Sequence, residues 1–183
     1  MRTLFFTRNG DSGKSGLGAK KIKKDDALFD ALGALDSVNS LVGWCAVVAD
    51  KKIPKLYRDL IAVQEMLFIA QAELAGVGFG INSAQTIDAT SVKRLEAMIL
   101  NVDAMLPPLK QFVLPGGSEL AARLDIARAA ARDAERAVVR FSTKKKCSSE
   151  FLMFVNRLSS VLFAFARYAN FKLGVKERNP SYR

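Results

Sequence analysis

Arg128, Arg132 and Glu135 follow one another at spacings of four and three residues. On a helix that spacing stacks side chains along one face, so two guanidinium groups and a carboxylate can converge on one site. The same pattern also describes a solvated helix face carrying its own ion pairs. Asn156, Arg157 and Arg167 lie beside a second apolar stripe and, taken alone, read as surface residues. Asn39 is less ordinary, because it falls among Leu28, Leu32, Leu35 and Val42. A buried amide there needs partners, and it serves either as a structural hydrogen-bonding residue or at the edge of a ligand.

A second candidate is the opening Thr7-Arg8-Asn9-Gly10-Asp11-Ser12-Gly13-Lys14-Ser15-Gly16-Leu17-Gly18, followed by Lys20, Lys21, Lys23 and Lys24. Its glycines let backbone N–H groups turn inward, while Lys14, Ser15 and Lys24 supply charge and a hydroxyl, which suits phosphate. Gly13-Lys14-Ser15 is not the end of a Walker A loop, because the required first glycine would fall at Arg8. Alone, such a segment is more often a flexible tail.

What is missing narrows the chemistry. The chain has no histidine and two cysteines, Cys45 and Cys147, so Ser-His-Asp and Cys-His mechanisms are excluded and a structural zinc set or disulfide is not expected. Catalysis must rest on positioning and electrostatics. The net charge of +10 predicts attraction to polyanions: nucleotide phosphates, nucleic acid or an acidic membrane surface.

The elements that must position these residues are helical. Apolar positions at helical spacing predict helices over roughly 26–49, from Pro54 to about 75, from about Thr90, read as a cap, to before Pro107, from Ser118, read as N-cap, to about 141, and from Ser148 or Ser149 onward. Gly76-Val77-Gly78-Phe79-Gly80 reads as a chain break, and residues 7–24 as loop. The predicted fold is an all-α, antiparallel five-helix bundle in one domain: a basic glycine-rich loop over 1–25, the bundle over 26–172 and a tail over 173–183. With no apolar run of the ~18 residues a membrane span needs and no secretory-type opening, a cytoplasmic protein is expected.

Taken together, these segments resemble the PduO-type ATP:cob(I)alamin adenosyltransferases. The resemblance runs through Thr7 to Gly13, Lys24-Asp25-Asp26, Gly33-Ala34-Leu35-Asp36-Ser37-Val38-Asn39-Ser40, Phe112-Val113-Leu114-Pro115-Gly116-Gly117, Ala127-Arg128, Arg132-Asp133-Ala134-Glu135-Arg136 and Asn156-Arg157-Leu158-Ser159. It implies transfer of the 5′-deoxyadenosyl group from ATP to the cobalt of a reduced corrinoid, giving adenosylcobalamin and triphosphate. It also implies a homotrimer with active sites between subunits, magnesium with the triphosphate, a flavoprotein reductase upstream and an adenosylcobalamin-dependent enzyme downstream.

By the same resemblance, Thr7, Arg8, Asn9, Gly10, Ser15, Gly16 and Lys24 are nucleotide contacts. Arg132, Asp133, Ala134, Glu135, Arg136 and Asn156 complete that site, with Arg132 toward phosphate. Asp36 and Arg128 match a pair supporting the subunit interface and corrinoid site, and Phe112 matches the aromatic packed against the lower face of the corrin. Metal ligands are not assigned. Ser37, Asp133 and Ser160 depart from the family's usual residues. A noncatalytic corrinoid or nucleotide carrier of the same fold, and a basic helical nucleic-acid-binding module, are the competing readings; the second lacks a docking motif.

Overall fold

The computed structural model describes residues 8–17 and 19–182. Five helices form the bundle: α1 Ala27–Lys52, α2 Pro54–Phe79, α3 Ala89–Asp103, α4 Glu119–Ser142 and α5 Ser149–Lys172. The main packing runs in sequence from α2 to α1, α4, α5 and α3. Leu28, Leu35, Leu60, Leu67, Leu124 and Leu158 are fully buried in the shared core, with Phe151, Phe154 and Phe165 from α5. Each such side chain contributes roughly 1.5–3 kcal/mol when removed from water.

Local chemistry sets the helix ends. The Asp26 side chain accepts from Leu28 N at 2.9 Å and caps α1. That helix stops at Ile53, and α2 restarts with Pro54 in its first turn, where the missing N–H costs nothing. Ser118 caps α4 and Ser148 caps α5 through their hydroxyls, as their sequence positions predict. Thr90, by contrast, does not cap α3. The helix begins at Ala89, and Asp88 accepts from Ser91 N at 2.8 Å; a carboxylate is the stronger acceptor at a helix N-terminus.

Two further expectations are corrected. Helix α2 continues through Gly76, Val77, Gly78 and Phe79, and only Gly80, at φ 70°, takes the left-handed conformation that ends it. The interior glycines answer to crowding: a Cβ on Gly76 would lie 2.6 Å from Ile81 O, and one on Gly78 would collide with Leu28. Within the segment read as loop, β1 Lys14–Leu17 pairs antiparallel with β2 Lys20–Lys23, in the register Ser15 to Ile22 and Gly16 to Lys21. Lysine and glycine disfavour strands, so side-chain pattern gave no sign of it. Lys20 Nζ donates to Phe79 O at 2.9 Å, which fastens this hairpin to the C-terminal end of α2.

Three helices, α1, α2 and α5, are long and apolar enough by length and composition to cross a membrane, contrary to the expectation from unbroken apolar runs. All three supply buried faces to the bundle core, which accounts for their apolar content.

Candidate active site

The exposed side of α4 and α5 carries the predicted site. Arg132, Glu135, Arg136 and Arg140 from α4 face Asn156, Ser159 and Ser160 from α5 across a cleft of about 580 Å³. Three arginines against one glutamate give it a positive field, suited to an anion. Asn156 Nδ2 donates to Glu135 Oε1 at 2.6 Å, and Asn156 Oδ1 accepts from Arg157 Nη1 at 2.7 Å. Arg157 is held in turn by Glu96 of α3 at 3.1 Å. The amide is thus fixed at both ends, while Arg136 is paired with Asp133 one turn away. Among the described residues Arg132 makes no ion pair.

A second cleft of about 350 Å³ adjoins the first. It is lined by Leu109, Phe112, Val113, Pro115, Asp125, Arg128, Arg132, Ser159, Ser160 and Phe163. Arg132, Ser159 and Ser160 line both clefts, so one wall serves a largely apolar space and a cationic one. Phe112 is 78% exposed, an unusual state for a phenyl ring unless something packs on it.

Asp125 organises this second cleft. Its Oδ1 accepts from Arg128 Nε at 3.2 Å and its Oδ2 from Gly116 N at 2.8 Å. The ion pair of Arg128 within this chain is therefore with Asp125, while Asp36 is exposed on α1.

The N-terminal set is brought together elsewhere. A Cβ on Gly10 would lie 2.9 Å from Lys24 Nζ, and Lys24 N donates to Gly13 O at 2.9 Å, so the turn folds back on Lys24. Ser15 and Gly16 lie on β1; a Cβ on Gly16 would lie 2.8 Å from Lys20 O. Arg8 and Asn9 belong to the turn before the hairpin. Thr7 lies outside the described residues. The lining of the α4–α5 cleft comes from those two helices alone, so the two halves of the predicted nucleotide set lie on different elements of one chain.

Some residues change standing. Ala134 is fully buried and faces the core rather than the cleft. Asn39 is also buried: its carbonyl O accepts from Gln64 Nε2 at 3.2 Å, and its Oδ1 has no partner among the described residues. Arg140, Ser159, Ser160 and Asp125 line the same two clefts and were not among the predicted site residues. Arg140 extends the four-residue spacing of Arg132 and Arg136, a signal present in the sequence. Asp125 stands three residues before Arg128, a spacing the sequence also offers, but its bond from the Gly116 N–H is visible only in the fold.

With this geometry in view, comparisons with known proteins are specific. Residues 5–169 match the family model described as cobalamin adenosyltransferase. A corrinoid adenosyltransferase of Citrobacter freundii is 36% identical over 165 residues, covering 89% of this chain and 93% of that protein. One from Bacillus subtilis is 34% identical over 173 residues, covering 93% and 89%. Among solved structures, a variant of a PduO-type ATP:corrinoid adenosyltransferase from Lactobacillus reuteri, complexed with cobalamin and ATP, aligns with TM-score 0.87 at 31% identity, covering 96% of this chain and 98% of that one. Another variant from the same organism, complexed with ATP, gives TM-score 0.88. Sequence and fold agree across nearly the whole chain, which belongs to the cobalamin adenosyltransferase family.

Proposed function

We propose that this protein transfers the 5′-deoxyadenosyl group of ATP to the cobalt of reduced cob(I)alamin or a related corrinoid. The observation that carries the reading is the wall of Arg132, Ser159 and Ser160 shared by the two clefts. One cleft presents Phe112 for the apolar face of a corrin, and the other presents three arginines for a polyphosphate. Reactants seated in adjoining clefts would be held next to one another, and such positioning converts a bimolecular step into an effectively unimolecular one.

In the reaction, a cobalt(I) electron pair forms the bond to C5′ as the C5′–O bond breaks. Triphosphate leaves with that bond's electrons, and cobalt becomes formally cobalt(III). No protein nucleophile or general base is required, in keeping with a chain that has no histidine. The protein's task is to stabilise charge on the departing triphosphate, and in this reading Arg132, which has no ion pair among the described residues, serves it. Glu135 and Asn156 hold each other across the cleft and present fixed polar atoms to the nucleotide.

The Phe112 ring serves the other substrate. An exposed phenyl group packed against the lower corrin face excludes water and the lower axial base, leaving cobalt four-coordinate and easier to reduce. A magnesium ion carried by the triphosphate oxygens would add to the neutralisation of charge on the leaving group. Among the described residues no cluster of three or more cysteine or acidic side chains gathers to hold an ion by itself.

In this reading the complete site lies between subunits of a homotrimer, where the turn and hairpin bearing Arg8, Asn9, Gly10, Ser15, Gly16 and Lys24 would meet a neighbour's α4–α5 cleft. Support comes from the lining of the α4–α5 cleft, which includes no described residue of the turn or hairpin. The packed pair α1 and α4 also exposes Trp44, Val47 and Ile126, apolar surface fit for a subunit contact. Asp36, exposed on α1, would meet Arg128 there. The trimer would work in the cytoplasm, between a flavoprotein reductase that supplies cobalt(I) and an enzyme that consumes adenosylcobalamin.

Anaerobic mixing of the protein with cob(I)alamin and magnesium-ATP tests the proposal. Appearance of the adenosylcobalamin spectrum at enzyme-dependent rates is expected. Binding of both ligands with no such product would make the protein a carrier instead.

A further inference from the structure

The C-terminal residues beyond α5 fold back over the loop that carries Phe112, and the contacts are specific. Asn179 Nδ2 donates to Phe112 O at 2.8 Å, and Leu114 N donates to Arg178 O at 2.7 Å. The strap is itself anchored. Arg167, buried on α5, pairs with Glu177 at 3.2 Å while its Nη2 donates to Pro107 O at 3.2 Å. Asn170, buried one turn later, donates to Gly116 O and accepts from Ser118 N, each at 2.8 Å.

Both ends of the loop from Pro107 to Gly116 are therefore fixed to α5, and its middle is fixed to the strap. Gly117, at φ 103°, is needed for the close approach: a Cβ there would lie 2.6 Å from Asn170 Oδ1. Yet the phenyl ring in the middle of this loop is 78% exposed. A loop held by its backbone at three places while its largest apolar side chain faces outward is built to hold that side chain at a set height for a ligand.

We infer that the segment 175–179 is a positioning strap for the lower wall of the corrinoid cleft, and that Asn179, through the Phe112 carbonyl, is its positioning residue. The inference rests on the proposed role of Phe112. Asn179 touches neither substrate; it acts by restricting where the ring can sit. Loss of its single hydrogen bond leaves the chain able to fold, because the anchors at Arg167 and Asn170 remain.

The test uses the full-length protein with Asn179→Ala, the conservative Asn179→Gln, Phe112→Ala and the Asn179→Ala/Phe112→Ala double variant. The readouts are KM for corrinoid and for ATP, the thermal midpoint, and the visible spectrum of cob(II)alamin bound in the presence of ATP. Asn179→Ala is expected to raise the corrinoid KM roughly threefold to tenfold, the weight of one hydrogen bond, and to reduce the four-coordinate cobalt signal. ATP KM and thermal midpoint should stay at wild-type values, and Asn179→Gln should recover part of the loss. In the Phe112→Ala background the Asn179 change should add nothing. An unchanged corrinoid KM and spectrum in Asn179→Ala, with Phe112→Ala impaired, overturns the strap alone. Wild-type behaviour of Phe112→Ala overturns the role of the ring itself.

Discussion

Asn156 of α5 donates its side-chain amide to Glu135 Oε1 of α4 at 2.6 Å, a cross-helix bond that fixes both groups beside Arg132. The bond needs an N–H donor at position 156. Asn156→Asp replaces it with a second carboxylate facing the first, which repels Glu135 and dilutes the positive field of the cleft. The KM for ATP should rise roughly tenfold, the size of a lost hydrogen bond to a charged group, with corrinoid KM little altered. Steady-state titration of each substrate measures the split; an unchanged ATP KM would remove the pair from the nucleotide site.

Arg132 lies in the wall common to both clefts. If its guanidinium stabilises charge that develops on the leaving triphosphate, Arg132→Ala should lower kcat by roughly 10²–10³-fold, the usual cost of removing one preorganised charge-stabilising donor. Arg132→Lys keeps the charge and loses the planar fork, so partial recovery is expected. A variant that raised only the ATP KM would show that Arg132 contributes equally to ground state and transition state.

The two cysteines should be chemically silent in the folded protein. Burial pushes the Cys45 thiol from 9.0 up to about 12, with Arg123 pulling weakly the other way. Burial, then the nearby Glu73 carboxylate, raises Cys147 as well. Since the thiolate is the reactive form, a neutral-pH alkylating reagent should label neither residue until denaturant is added. The linkage has a definite sign: the folded state holds the proton more tightly, so this contribution to stability is full below pH 9 and is lost as pH rises toward about 12. Rapid labelling of native Cys45 would contradict its buried placement.

Ser148 has two duties away from the site. Its hydroxyl accepts from Phe151 N at 3.1 Å and donates to the buried Glu73 carboxylate at 3.1 Å. Glu73 also accepts from Ile87 N at 2.7 Å, tying α2, the α2–α3 connection and α5 together. Ser148→Ala should lower stability by roughly 1–2 kcal/mol, the cost of a lost cap and a buried acceptor short of one partner. Urea unfolding should show a lower midpoint at unchanged slope, with turnover intact at low temperature.

The helices were legible because each announces itself locally. Apolar residues recur at 3.6-residue spacing, and Ser118 and Ser148 stand just before the stripes they cap. The glycines of α2 were misread because local sequence cannot distinguish a helix breaker from a glycine admitting a neighbour, here Leu28 against Gly78. The hairpin escaped notice because backbone pairing holds it, with no apolar alternation in KSGL or KKIK. Arg132, Glu135 and Asn156, candidates from spacing and resemblance, line one cleft, whereas the places of Asp125, Ser159 and the strap were not foreseen. Ser159 lines the clefts because α5 lies beside α4, and Asp125 and the strap act through loop backbone at Gly116 and Phe112, which side-chain spacing does not reveal.

The most direct measurement of the central claim is the stoichiometry of a single anaerobic turnover, with adenosylcobalamin and polyphosphate quantified in the same quenched sample from wild type, Phe112→Ala and Arg132→Ala. Adenosyl transfer at the shared wall predicts one triphosphate for each adenosylcobalamin, no nucleotide cleavage when corrinoid is omitted, and loss of both products together in the two variants. ADP and phosphate released without corrinoid, or triphosphate formed without an adenosylated cobalt, would contradict it.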